Sequence, residues 1–136
     1  MNTHQSITIE TIINAPLEKV WECWTDPAHI TKWCFASPDW EAPHATNDLR
    51  VGGAFKTRMS AKDGSAGFDF GGVYSVVELH RKIAYDMEDK RHVEIIFDQT
   101  SNGVKVTETF DAEGENSIEL QRSGWQSILD NFKSYT

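Results

Sequence analysis

The last twenty residues, Ser117 to Thr136, most constrain what this chain can become. They read SIELQRSGWQSILDNFKSYT, and Ile118, Trp125, Leu129 and Phe132 recur at steps of seven, four and three. That spacing is one face of a helix, with Gln121, Arg122, Gln126, Asp130 and Lys133 off it. Asn116 stands just before the run and Glu119 lies three residues on, which reads as a capping box with Asn as the cap. Such a helix spans about 28 Å, the width of a small domain. Its apolar face needs a partner, and almost everything between residues 44 and 112 alternates like strands. The expectation is a sheet folded around one long C-terminal helix.

The chain before that helix fills in the rest. Residues 5–13 alternate with Ile7, Ile9 and Ile13 on one face, a strand ended by Asn14-Ala15-Pro16. Pro16 suits the first position of a short helix over Leu17–Thr25, with Leu17, Val20, Trp21 and Trp24 on one side. Asp26-Pro27 starts a second short helix in which Asp26 caps and Ile30, Trp33 and Cys34 form the apolar side. Residues 36–43 read as an irregular connection and His44–Arg50 as a weak strand. Further strands follow at Ala54–Ala61, from Phe68 onward, and at Lys82–Glu88, Arg91–Gln99 and Val104–Asp111.

The turns between these strands are Val51-Gly52-Gly53, Lys62 to Ser65, Asp89-Lys90 and Ser101-Asn102-Gly103. Connections of hairpin length make the sheet antiparallel. Along the strand from Phe68, one parity holds Phe68, Phe70, Tyr74 and Val76, and the other holds Val73, Val77 and Leu79. The conflict predicts a bulge or bend, placed at Gly71-Gly72. The whole reads as α+β, about six to seven antiparallel strands with helices on one side, in a single domain over residues 1–136.

Composition narrows the partners. The net charge is −8, from 13 basic and 21 acidic residues, with no basic cluster. This speaks against nucleic acid and anionic membrane. No apolar run approaches the roughly 20 residues of a membrane span. The N-terminus has neither the charged nor the apolar region of a signal peptide, so a cytoplasmic location is expected. Cys23 and Cys34 fit neither a redox pair nor a zinc site and read as buried free thiols.

Several blocks together carry a family likeness. Ile12 to Trp21 (IINAPLEKVW), Trp24 to Pro27 (WTDP), Trp33, Asp48 to Gly53 (DLRVGG) with Phe55, Gly72-Val73-Tyr74, and Gly124-Trp125 with Leu129 occur in that order. The set resembles the heat-shock-protein-90 ATPase activator homologue family and spans nearly the whole chain. The resemblance implies the START-like helix-grip fold of the birch-pollen-allergen (SRPBCC) superfamily, with a cavity under the C-terminal helix. It implies an apolar small-molecule partner, lipid-like or polyketide-like, in a stand-alone bacterial-type member. It also implies two other roles: a co-chaperone module stimulating a chaperone ATPase, and a cyclase- or hydrolase-like enzyme.

Candidate chemistry is sparse. Glu108 shares parity with Val104, Val106 and Phe110, so it should point inward, where burial would raise its pKa and suit it to acid–base work. The plainer reading pairs it with Arg58 or another cation, or leaves it at a wet strand end. The five His lack metal-ligand spacing, although His80 and His92 flank one strand pair. No metal and no cofactor are expected. No nucleophile elbow or phosphate-binding loop is present, so binding rather than turnover is the expected role.

The aromatics Trp24, Trp33, Phe55, Phe68, Phe70, Tyr74, Tyr85, Phe97, Trp125 and Phe132 supply core and any ligand wall. The ligand-binding set drawn from this reading is Trp33, Phe55, Arg58, Phe70, Tyr74, Tyr85, Trp125, Leu129 and Phe132, with Arg58 and Asp69 as polar anchors. Gly124 is expected to pack the helix closely against the sheet. An open antiparallel sheet also invites edge pairing in a homodimer.

Overall fold

The computed structural model describes residues 5–114 and 116–136. The elements run β1 (Ser6–Ile13), α1 (Leu17–Thr25), α2 (Pro27–Ile30), β2 (Trp40–Asn47), β3 (Ala54–Ala61), β4 (Gly67–Glu78), β5 (Lys82–Met87), β6 (His92–Thr100), β7 (Gly103–Asp111) and α3 (Ile118–Tyr135). All seven strands form one antiparallel sheet in the order β1-β7-β6-β5-β4-β3-β2. The sheet curls around α3, with α1 and α2 inserted between β1 and β2. This is the helix-grip α+β arrangement.

Period-two burial explains the concave face. In β7, Val104, Val106, Glu108 and Phe110 are buried and the residues between them are half-exposed. In β6, Val93, Ile95 and Phe97 do the same, and in β1, Ile7, Ile9 and Ile13. Leu129 and Phe132 of α3 are buried against this face. Burying such side chains stabilises the fold by about 1.5–3 kcal/mol each relative to exposure.

The N-terminus of α3 differs from the sequence expectation. Ser117, not Asn116, is the cap, and its Oγ accepts from the Leu120 amide. The Asn116 amide instead donates to the Glu113 carboxylate. Gln121, placed off the apolar face by its spacing, is buried. Its amide accepts from the Glu113 N–H and donates to the carbonyls of Glu113 and Asn116. A short polar side chain at Ser117 and an amide at Gln121 together tie α3 to the chain arriving from β7.

Asp26 caps α2 as expected, accepting from the Ala28 amide. Pro16 occupies the cap position of α1 rather than its first helical residue. β2 begins at Trp40, inside the stretch read as irregular, because Trp40 and Glu41 pair with Ala61 and Ser60 despite Pro43. A register shift between Glu41 and His44 accommodates the proline, which lies on an edge strand where the missing N–H is tolerated.

The bulge in β4 lies at Ser75, not at Gly71-Gly72. Tyr74 faces Tyr85 and Val76 faces Ala84, so one residue is extra. Phe70, Gly72 and Tyr74 point to the concave side before the bulge, and Val77, opposite buried Ile83, does so after it. The two glycines are regular ladder residues needed for close approach. A Cβ at Gly71 would collide with the Phe55 carbonyl oxygen, and one at Gly72 would sit 2.7 Å from that of Asp86.

Both margins of the sheet are blunted. At β1, Arg122 of α3 donates to the Thr8 carbonyl at 2.9 Å. At β2, Pro43 and the register shift interrupt the edge.

Candidate functional site

A cavity of about 80 Å³ lies between the concave face and α3. β3 contributes Phe55, Thr57 and Met59, β4 contributes Phe70 and Tyr74, and β5 contributes Ile83 and Tyr85. Trp24, Ile30, Trp33 and Cys34 close one end, and Trp125, Ile128 and Leu129 of α3 close the top. Glu108 enters from β7.

The aromatic wall is self-supporting. Phe55 packs edge-to-face on Tyr85 at 4.6 Å and on Phe70 at 5.7 Å, and Phe70 meets Trp125 at 5.9 Å. Trp125 stacks on Phe110 and so anchors α3 over β7. Such pairs contribute about 0.5–1.5 kcal/mol each beyond burial. Tyr74 donates its hydroxyl to Asn47 at 2.5 Å, and Asn47 donates to the Thr25 carbonyl at 2.6 Å. That relay fixes the tyrosine ring by linking β4, β2 and the end of α1.

Phe132 is not on the cavity wall. It lies behind it, edge-on to Trp24 at 4.9 Å and to Trp33 at 4.8 Å, and fully buried. Trp33 is held by its Nε1, which donates to the Cys23 carbonyl at 2.9 Å. Phe97 packs under Trp21 and Trp24, and Phe68 lies outside, half-exposed beside Trp40.

Arg58 and Asp69 are not in the site. They pair with each other at 3.6 Å across β3 and β4 with both side chains about half exposed. Strand alternation explains this, because Arg58 lies between inward Thr57 and Met59. His80 and His92 are separated at opposite ends of β5: His80 packs on Trp21, and His92 bonds Asp86. No cluster of three metal-ligating side chains occurs among the described residues.

Glu108 is 6% exposed, and its neighbours across both flanking strands are the buried Ile9 and Ile95. No cation and no hydrogen-bond donor among the described residues meets its carboxyl, and burial alone pushes its pKa up to about 8. It is therefore an uncharged acid at neutral pH. The other titratable groups on the wall are also held protonated. Burial raises Cys34 to about 12, with the Glu108 carboxyl adding to the effect. Burial likewise raises Tyr74 and Tyr85, the Tyr74–Asn47 bond opposing it in part. The wall thus holds protonated groups and no base, and the Tyr74 hydroxyl proton is already given to Asn47.

Sequence reasoning missed Ile30, Cys34, Thr57, Met59, Ile83 and Ile128 as wall residues. Thr57 and Met59 share Phe55's parity, which was a usable signal. Ile128 follows Trp125 by three on the helix and sits at the margin of its apolar stripe.

A family model described as Activator of Hsp90 ATPase homolog 1-like protein matches residues 14–136. The solution structure of an AHSA1-like protein from Aeromonas hydrophila is 46% identical, with TM-score 0.91, covering 96% of this chain and 91% of that one. A solution structure from Cytophaga hutchinsonii is 53% identical, with TM-score 0.84, covering 96% and 90%. A crystal structure of a Nitrosomonas europaea protein, 19% identical, shares the fold with TM-score 0.82 over 99% and 96% of the two chains. No curated protein matches the chain.

Proposed function

The chain belongs to the Activator of Hsp90 ATPase homolog 1-like family, and we propose that it holds a small, mainly apolar molecule between the curled sheet and α3. The observation that carries this reading is the buried Glu108 carboxyl, facing a cavity whose remaining wall is aromatic and aliphatic. The Glu108 carboxyl oxygens make no hydrogen bond to the described residues and stay accessible from the cavity. A bound molecule with an acceptor oxygen meets the carboxyl proton and is oriented by it. A carbonyl or ether group suits the Glu108 acid, and a few polar groups in an apolar lining are the usual make-up of small-molecule sites.

Acid–base catalysis by Glu108 is the less favoured use of the same residue. A protonated Glu108 can donate, but turnover also needs a base, and Cys34, Tyr74 and Tyr85 are all pushed away from serving as one. The family description names activation of a chaperone ATPase, and chaperone binding is the alternative that an interaction assay separates from ligand binding. Among the described residues, no helix is long and apolar enough to cross a membrane.

Native mass spectrometry of the freshly purified protein tests the proposal. It should show a small-molecule adduct that is reduced in Glu108→Leu. A chain at its bare mass, with no thermal shift from any carbonyl compound supplied afterwards, would sink the reading.

A further inference from the structure

A second hollow, about 330 Å³, lies on the outside of the same wall, bounded by Phe35, Trp40 and Phe68. It shares Met59, Trp125 and Ile128 with the inner cavity, so these three side chains border both spaces. The inner cavity has about 80 Å³, roughly half the ~150 Å³ of an engineered cavity that accepts benzene. It has room for a head group and not for a lipid-sized body.

Gly124 lies on the groove side of α3. A Cβ there would meet nothing within 4 Å, and its backbone is ordinary helix with no positive φ. A glycine inside a helix is less favourable than alanine. Neither close packing nor backbone conformation requires it here. What it does is leave the groove open beside Trp125.

We infer that the ligand is an uncharged, chain-like molecule whose acceptor head meets Glu108 and whose apolar tail passes between Met59, Trp125 and Ile128 into the groove beside Gly124. This rests on the small-molecule reading above and adds where the body of the molecule lies. The groove lining is aromatic and aliphatic, as a hydrocarbon tail requires. The head's partner is the Glu108 carboxyl, which lines the inner cavity and meets no salt-bridge or hydrogen-bond partner among the described residues.

Calorimetric titration with two probes, butanone and methyl nonyl ketone, tests this. They share a head and differ in tail. The longer ketone should bind well over tenfold more tightly, since each buried methylene contributes about 0.8 kcal/mol. Gly124→Leu should remove about tenfold of that gain and leave butanone unchanged, while melting at or above the wild-type temperature. Phe68→Glu, on an exposed strand end, is the second variant and should weaken the longer ketone alone. Glu108→Leu should weaken both. If the gain from chain length survives both groove variants, the tail does not lie in the groove, and the inference fails while Glu108-dependent butanone binding leaves the cavity reading standing. If neither ketone binds, both fall.

Discussion

Trp125 on α3 stacks face-to-face on Phe110 of β7, with ring centroids 3.9 Å apart and planes 9° from parallel. The pair fixes the height of the helix over the sheet and therefore the roof of the cavity. In a double-mutant cycle, Trp125→Leu and Phe110→Leu should show a coupling of about 0.5–1.5 kcal/mol by denaturant unfolding. Additive effects would mean the rings do not act as a pair.

Glu108 makes stability depend on pH with a definite sign. Its carboxyl titrates near 4.5 when unfolded and near 8 when folded. Between those values the native chain holds a proton that the unfolded chain has lost, so the contribution is complete below about pH 4.5 and is lost as pH rises through 8. The slope attributable to this group is at most about 1.4 kcal/mol per pH unit. Unfolding midpoints at several pH values from 5 to 8 should fall more steeply for the wild type than for Glu108→Gln. Parallel profiles would show that Glu108 is not buried as an acid.

Gln121 closes the junction between β7 and α3 with three hydrogen bonds. Gln121→Leu should destabilise by about 1–3 kcal/mol, because it orphans the groups it serves. Amide exchange at Glu113 should rise before that of β7. Unchanged protection at Glu113 would show that the amide clamp is not formed in solution.

The two thiols should be inert. Cys34 is buried and raised to about 12, and burial raises Cys23 as well. A thiol-reactive dye at neutral pH should label neither until denaturant is added. Rapid labelling of the native protein would contradict the packing around Trp33.

Gly124→Ala should stabilise the protein by up to about 1 kcal/mol. The sequence alone suggests the opposite, a glycine required for close helix packing. The difference is physical. A glycine in a helix looks the same in sequence whether it admits a neighbour or leaves a space, and only the 4 Å of open surroundings decides. The strands were legible because each alternates, and α3 because its face repeats. Glu108 was legible as inward by the parity it shares with Val104, Val106 and Phe110. Its isolation was not, since the absence of a cation depends on Arg58 turning outward to Asp69. The cap of α3 was misplaced by one residue because Asn116 and Ser117 are both capping types, and the local turn in which the Asn116 N–H donates to Glu113 leaves Ser117 as the cap.

The extra residue at Ser75 makes β4 a strand written in two frames. Upstream, even-numbered residues face inward; downstream, odd-numbered ones do. Deleting Ser75 would leave a regular ladder in which Tyr74, Val76 and Val77 still meet Tyr85, Ala84 and Ile83, whereas pairing Ser75 itself with Ala84 would turn Val77 out to solvent. The extra residue thus bends and twists the strand, and its loss would straighten β4 without changing which side chains build the concave wall.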